Sequence, residues 1–298
     1  MTLSRQVVQQ SYACCRRMCR LASSSFSIGF FLLPREKRRA MNALYAFMRH
    51  TDDLADGPPL NSPRHEVLAA WRASVHHALS GDFTTAENSE LLLPALVDTV
   101  ERFQIPHEHL FAVIDGVEMD LTQRRYETFD DLRLYCERVA SAVGLACIHI
   151  WGFRGPEALA YARSPGIALQ LTNILRDLKE DAQGGRVYLP LADLQQCGYS
   201  VDDLQSAVDN KQFRQLIAME VSRAEEFYRD GAELIKWLEP DGRRIFGLIM
   251  ATYHELLREI AKRPAEVLHR RIRIGRLKRL QLIARWALLP ARKDALLQ

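Results

Sequence analysis

Oxygen-bearing side chains recur at helical spacing in Gln170-Leu-Thr-Asn173-Ile-Leu-Arg176-Asp177-Leu-Lys-Glu180-Asp181. The stretch has no Gly or Pro and is rich in good helix formers, so it reads as helix. At about 100° per residue, Gln170, Asn173, Asp177 and Asp181 fall in one stripe roughly 80° wide. Leu171, Ile174, Leu175 and Leu178 take much of the remaining circumference. Two amides followed by two carboxylates make a poor packing face and a good face for hard, oxygen-seeking cations.

A second stripe has the same character. In Tyr45-Ala-Phe47-Met-Arg49-His-Thr-Asp52-Asp53-Leu-Ala-Asp56, the helical wheel puts Tyr45, Arg49, Asp52 and Asp56 on one face. Asp52 and Asp56 are i,i+4 neighbours, as are Asp177 and Asp181, and like charges at that spacing cost a helix about 0.2–0.5 kcal/mol. Two such pairs call for compensating positive charge. Mg2+ takes only one or two protein carboxylates and completes its shell with water and phosphate oxygens. Two facing pairs in a helical bundle therefore suit a small Mg2+ cluster, of two or three ions, held against a diphosphate. A di-iron centre is the rival metal reading, but the Glu-x-x-His pairs it uses accompany neither stripe. The plain alternative is a pair of solvent-facing acidic helix ends.

The elements that must position these stripes are helical. Segments 11–21, 35–56, 63–80, 88–103, 107–122, 130–153, 156–181, 191–197, 201–206, 210–238 and 241–261 have helical period or helix punctuation. Pro34 is placed to start the second of them, Gly57-Pro58-Pro59 to stop it, and Pro165-Gly166 to kink the helix that carries the first stripe. No strand alternation, fixed repeat or low-complexity linker intervenes. The expectation is one all-α domain over residues 1–298, of about ten helices around a shared core. The 48% hydrophobic and 26% charged content are those of a globular protein, and a net charge of +3 points to no polyanionic partner by itself. Six cysteines show no CxxC spacing and read as reduced core residues, which argues against zinc or a disulfide framework. The longest apolar run, Val139 to Phe153, is broken by Ser141 and His149 and falls short of the roughly 18 residues of a spanning helix. With no apolar h-region near the N-terminus, no signal peptide is expected. A cytoplasmic protein, soluble or peripheral on a membrane, is expected.

The two stripes resemble the Asp-rich motifs of the squalene and phytoene synthases, the head-to-head prenyl transferases. Further blocks carry the likeness in the same order: Ser25-Phe26-Ser27-Ile-Gly-Phe30-Phe-Leu-Leu-Pro34, Tyr135-Cys136-Glu-Arg-Val139-Ala140-Ser-Ala-Val143-Gly144, and Arg186-Val-Tyr188-Leu-Pro190. The resemblance implies the isoprenoid synthase fold, a helical bundle around a central cavity. Two allylic diphosphates bind there with Mg2+. One ionises, the double bond of the other attacks the cation, and a cyclopropylcarbinyl diphosphate forms; some members go further, with NADPH where the product is squalene.

In that frame Asp52, Asp56, Asp177 and Asp181 anchor the metal, with Asn173 as a further oxygen ligand and Gln170 in support. Arg49 offers phosphate a forked donor, or pairs with Asp52 or Asp53. Ser23 and Ser25 match positions near a phosphate, although alone they read as a helix cap and loop. Phe26, Phe30, Val139, Ala140, Val143, Gly144 and Leu145 are candidates for a water-free wall around a carbocation, or for plain core. Tyr45, Tyr135 and Tyr253 match positions near the reacting centre, and a buried hydrogen-bonded tyrosine is the alternative. Arg186 and Tyr188 belong to a loop that covers the diphosphates. Arg176 and Glu180 lie off the stripe.

The chain carries no counterpart of the C-terminal spanning helix of eukaryotic squalene synthases, which points to the bacterial branch, and it is most like presqualene diphosphate synthases. From Lys262 to Lys293 it holds many Arg and Lys with Glu266 as the only acid, interleaved with Ile272, Ile274, Leu277, Leu280, Leu282, Ile283, Trp286 and Leu289. A basic amphipathic helix of this kind suits an anionic membrane surface, or is a last bundle helix with a solvated face. No nucleic-acid motif accompanies the charge. The expected reaction joins two farnesyl diphosphates into presqualene diphosphate, with a possible onward step to squalene or dehydrosqualene. The alternatives are phytoene synthesis from geranylgeranyl diphosphate, a non-catalytic scaffold relative, and a terpene cyclase or head-to-tail elongase.

Overall fold

A computed structural model describes residues 4–22, 26–57, 62–83 and 91–297. Ser23 and Ser25 lie outside the described residues. The described chain folds into fourteen α-helices, with two isolated β-bridges and no strand among the described residues. Helix α1 is Arg5–Ala22; a 3-10 turn over Ser27–Leu32 leads to α2, Arg35–Asp56. Then come α3 (Arg64–Leu79), α4 (Leu93–Phe103), α5 (His107–Thr122), α6 (Phe129–Cys136) and α7 (Ala142–Trp151). The second half holds α8 (Glu157–Tyr161), α9 (Arg163–Gln183), α10 (Leu191–Cys197), α11 (Val201–Gln205), α12 (Lys211–Gly231), α13 (Pro240–Lys262) and α14 (Arg276–Leu288). The excess over about ten comes from the division of 130–153 and of 156–181 into two helices each, and from α14 in the basic C-terminal segment.

Proline sets many of the starts. Pro34, Pro63, Pro106 and Pro190 directly precede α2, α3, α5 and α10, and Pro240 opens α13. Each lacks an N–H that the first turn would leave unpaired anyway. Helix α6 starts on a capping box, in which the Thr128 hydroxyl and the Asp131 carboxylate satisfy each other's backbone amides.

Two expectations change. The stretch 156–181 is two helices, α8 and α9, and Pro165-Gly166 lies in the first turn of α9 rather than at a kink. The 130–153 helix is interrupted by a π-turn over Glu137–Ser141. Glycines let neighbouring helices close onto that turn. A Cβ on Gly166 would meet the Ser141 backbone at 2.5 Å, and one on Gly116 would meet Val139 Cγ1 at 2.5 Å.

Helix α9 packs against α12, α13, α7 and the π-turn, while α5 closes the far side of that turn and α2 packs on α5 and α7. One contiguous core runs from Tyr12 to Leu296. Five of the six cysteines are buried and none is in a disulfide; desolvation pushes the Cys19 thiol up to about 12. No helix among the described residues is long and apolar enough to cross a membrane. Trp286 of α14 is fully buried and contacts Gly247 of α13, so it is a core residue and not a surface anchor.

Candidate active site

Helices α2 and α9 stand on opposite sides of an opening of about 270 Å³. Asp52 and Asp56 reach it from α2, and Gln170, Asn173 and Asp181 from α9. The loop after α9 contributes Arg186 and Tyr188. That loop is tied down along the segment before α6: the Val187 amide donates to the Arg124 carbonyl at 2.9 Å and the Leu191 amide to the Tyr126 carbonyl at 2.9 Å. Arg186 is thereby aimed back across the opening, where it donates to Asp56 at 2.8 Å.

Helix α5 adds a carboxylate that the motif reading missed. The two Asp120 oxygens accept the hydroxyls of Tyr188, at 2.8 Å, and Tyr135, at 3.0 Å. The two rings stack, with centroids 5.3 Å apart. Burial pushes the Asp120 carboxyl up and the two tyrosine bonds draw it down. Tyr135 and Tyr188 also rise, chiefly by desolvation and then by the nearby Asp120 charge.

Asp52 is reached by solvent through the opening, yet protein atoms crowd it closely. Desolvation, with Asp56, Asp120 and Asp53 adding repulsion against the relief from Arg49, pushes it from 3.8 to about 7. Asp181 rises to about 7 for the same leading reason, with Asp177 repelling it and Arg186 relieving it. Asn173 Oδ1 is buried without a hydrogen-bond partner, while its Nδ2 donates to Gln170 Oε1 at 3.4 Å. Two carboxyls held up by burial and repulsion, beside an orphaned amide oxygen, are an oxygen donor set that a hard cation would satisfy. Among the described residues no three His, Cys, Asp or Glu side chains converge on one point. The set therefore fits an ion that draws its other ligands from water and phosphate, as Mg2+ does.

Behind the opening lies an apolar chamber of about 330 Å³. Asp52, Val117, Val139, Gln170 and Asn173 line both spaces, so the two are continuous. Val139, Ala140, Val143 and Gly144 bring the π-turn and α7 to its wall, and Phe26 and Tyr45 line it from the other side. The π-turn turns Val139 and Ala140 toward this space, a common use of such an insertion. Leu145 is buried in the core, and Phe30 stands behind Phe26 at a ring distance of 5.7 Å, so neither reaches the wall. Arg49 lines the chamber mouth, but its guanidinium forms a fork with Asp53, at 2.6 and 3.1 Å.

Asp177 turns away from the opening. Arg176 Nε donates to it at 2.8 Å and Arg271 Nε at 2.7 Å, at the edge of a separate basic hollow of about 680 Å³. Arg176, Arg271, Arg273, Arg276 and Arg279 line that hollow. Asn173 and Tyr253 are shared between it and the chamber. Arg271 is the second residue that motif spacing did not single out; it lay hidden in a run of arginines.

An all-α bundle enclosing an apolar chamber, with carboxylates on one side of the mouth and arginines on the other, is the isoprenoid synthase fold, built to hold a prenyl chain by its charged end. Within that class the chain belongs to the squalene/phytoene synthase family, which it matches over residues 19–278. That is a family of prenyl transferases. It is 35% identical over 286 residues to the phytoene synthase of Arthrospira platensis, covering 92% of this chain and 91% of that one. It is 35% identical to a phytoene synthase of Mycobacterium tuberculosis, covering 93% and 90%. Among solved structures it is similar to the squalene synthase HpnC from Alicyclobacillus acidocaldarius, with a TM-score of 0.79, 29% identity and coverage of 87% and 95%. It is also similar to a ligand-bound dehydrosqualene synthase, with a TM-score of 0.82, 28% identity and coverage of 94% and 96%.

Proposed function

We propose that the protein condenses two farnesyl diphosphates head to head into presqualene diphosphate, with Mg2+. The observation that carries this reading is the continuity of the carboxylate opening with the apolar chamber through Asp52, Val139, Gln170 and Asn173. A prenyl tail fits the chamber while its diphosphate stays at the mouth. Asp52, Asp56, Asn173 and Asp181 would hold Mg2+, and Asp177 joins them once its arginines turn to phosphate. When bound, the ion supplies Lewis-acid charge to the departing diphosphate.

The chain's own groups do the rest. Arg186 and Arg49 each sit in an ion pair with α2 and offer a forked donor to diphosphate oxygens when it arrives. The arginine hollow beside Asn173 and Tyr253 takes the second diphosphate. One C1–O bond breaks and diphosphate leaves; the C2–C3 double bond of the partner forms the new bond to that C1. Ring closure then joins that same C1 to the partner's C3 as C1 releases a proton, and the released diphosphate accepts it, with the Tyr45, Tyr135 and Tyr253 hydroxyls orienting that anion; the partner keeps its own diphosphate. Phe26, Val139, Val143 and Gly144 keep water from the cation. Onward conversion to squalene would draw on NADPH as reductant. The basic C-terminal segment would place the enzyme peripherally on an anionic membrane at the cytoplasmic side, where its apolar product belongs.

Phytoene synthesis from two geranylgeranyl diphosphates is the second reading, favoured by the phytoene synthases among the relatives. Incubation with each diphosphate, with and without NADPH, separates the two: a C30 product is expected, and a C40 product alone would overturn the first reading. A scaffold role without catalysis requires that Asp52→Asn and Asp181→Asn leave function in cells intact; loss of function is expected.

A further inference from the structure

Asp177 is the one carboxylate of the two acidic stripes that does not line the opening. Helix register is not the reason. Asn173 and Asp181, four residues before and after it on α9, both line the opening, each about 6 Å away along the helix at 1.5 Å per residue. The backbone already offers Asp177 to the mouth, and its side chain is drawn aside.

Two guanidinium forks draw it. Arg176 donates from Nε at 2.8 Å and from Nη2 at 2.5 Å, and Arg271 from Nε at 2.7 Å and from Nη2 at 2.9 Å. Each Asp177 oxygen accepts from both arginines. A carboxylate has about four lone-pair sites, so these four bonds use its whole acceptor capacity and leave none for a cation.

The two arginines are held differently. The Arg176 side chain is 17% exposed and sits next to Asp177 on α9. The Arg271 side chain is 40% exposed, on the irregular segment between the 3-10 turn Pro264–Leu268 and α14. Lys179 donates to the His269 carbonyl at 2.7 Å and Ile272 is buried, so the backbone around Arg271 is pinned to α9 and a change of partner falls to its guanidinium. Both arginines open on the basic hollow, which Arg273, Arg276 and Arg279 also line and, among the described residues, no acid does. A phosphate in that hollow carries more charge than a carboxylate and matches the same fork, so it competes with Asp177 for Arg271.

We propose that Arg271 is a positioning residue acting through Asp177: it withholds this carboxylate from the mouth until an anion enters the hollow, and so couples the two diphosphate places. The inference rests on the Mg2+–diphosphate reading above and adds an order to it. A first diphosphate alone meets a donor set without Asp177, and arrival of the second frees Asp177 to complete that set. Ionisation before the partner is seated would give the cation to water, and this contact defers it until both chains are in place.

The test is Mn2+ binding to the full chain, read from the paramagnetic resonance of the free ion, with inorganic sulfate as the anion and thermal shift as the measure of sulfate binding. Sulfate should tighten Mn2+ binding to wild type about fivefold or more, the lower end of coupling between linked sites. Arg271→Gln should tighten it by a similar factor without sulfate, and sulfate should then add little. Arg273→Gln, equal in charge and lining the same hollow, should leave the sulfate-free affinity nearly unchanged. In an Asp177→Asn background, Arg271→Gln should have no effect on Mn2+. If neither wild type nor any variant binds Mn2+, the metal reading fails and this inference with it. If Mn2+ binds and Arg271→Gln tightens it no more than Arg273→Gln, only the role of Arg271 falls. Sulfate that fails to shift the wild-type melt, or shifts it without moving the Mn2+ affinity, overturns the coupling with no variant needed.

Discussion

Arg186 and Asp56 meet at 2.8 Å although 130 residues separate them, and their ion pair bridges the opening between the loop after α9 and the last turn of α2. Asp56 is 56% exposed, and an ion pair with one exposed partner is worth about 0–1 kcal/mol, so the contact does little for stability. Its value lies in pre-aiming a forked donor at the place where diphosphate charge collects. Arg186→Gln should leave the urea midpoint almost unchanged while kcat/KM falls about 100-fold, as on removal of a preorganised donor. Unchanged kinetics would remove Arg186 from the diphosphate site.

Asp120 accepts two tyrosine hydroxyls, one from the π-turn side and one from the covering loop, and so fixes Tyr135 and Tyr188 relative to each other. An amide in its place offers one acceptor oxygen for two donors. Asp120→Asn should therefore cost about 1–3 kcal/mol, the usual penalty for one orphaned buried hydroxyl. The same change in a Tyr188→Phe background should cost less, since the orphan is gone. Equal costs in both backgrounds, by urea unfolding, would contradict the shared-acceptor arrangement.

Metal-free protein should lose stability as pH rises. Asp52 and Asp181 sit at about 7 in the fold against an ordinary 3.8, so the folded state binds their protons more tightly than the unfolded chain does. The resulting stabilisation is fully present below 3.8 and is lost as pH passes about 7. Mg2+ with diphosphate binds the ionised carboxylates, so its stabilising effect should grow across the same window. Thermal melts across that range, with and without Mg2+ and diphosphate, test both signs. A slope that persists in Asp52→Asn/Asp181→Asn would assign it to other groups.

The acidic stripes were legible because helical spacing alone puts Asp52 with Asp56 and Asn173 with Asp181, and those four reach one opening. Proline legibly set the starts of α2 and α5. Asp120 was not legible: it is one of three acids, with Asp115 and Glu118, in the last turns of α5, and its meaning comes from tyrosines at positions 135 and 188. Arg271 was masked by its neighbours, since nothing local marks it as the arginine that pairs with Asp177, 94 residues away. The π-turn hides too, because one extra residue does not disturb an apolar helical pattern. Its traces are Gly116 and Gly166, two helix glycines that both face it.

Chain length should be controlled at Trp151. The π-turn and α7 form one wall from Val139, at the mouth, to Trp151, about 18 Å further on at 1.5 Å per residue. Trp151 is 4% exposed and packs at 6.4 Å from Phe246, so the two aromatics close that end of the chamber. A geranylgeranyl tail is a third longer than a farnesyl tail and would meet this pair first. The indole Nε1 has no hydrogen-bond partner, so a smaller apolar residue removes packing and no polar contact. Trp151→Leu should open the floor at a cost of about 1–3 kcal/mol in stability, below the loss for full truncation to alanine. Competition between the two diphosphates should then move kcat/KM toward geranylgeranyl diphosphate by about tenfold or more, the scale set by a few methylenes in an apolar site. An unchanged ratio in a folded variant would show that the chamber ends elsewhere, and would remove the aromatic floor as support for the farnesyl reading.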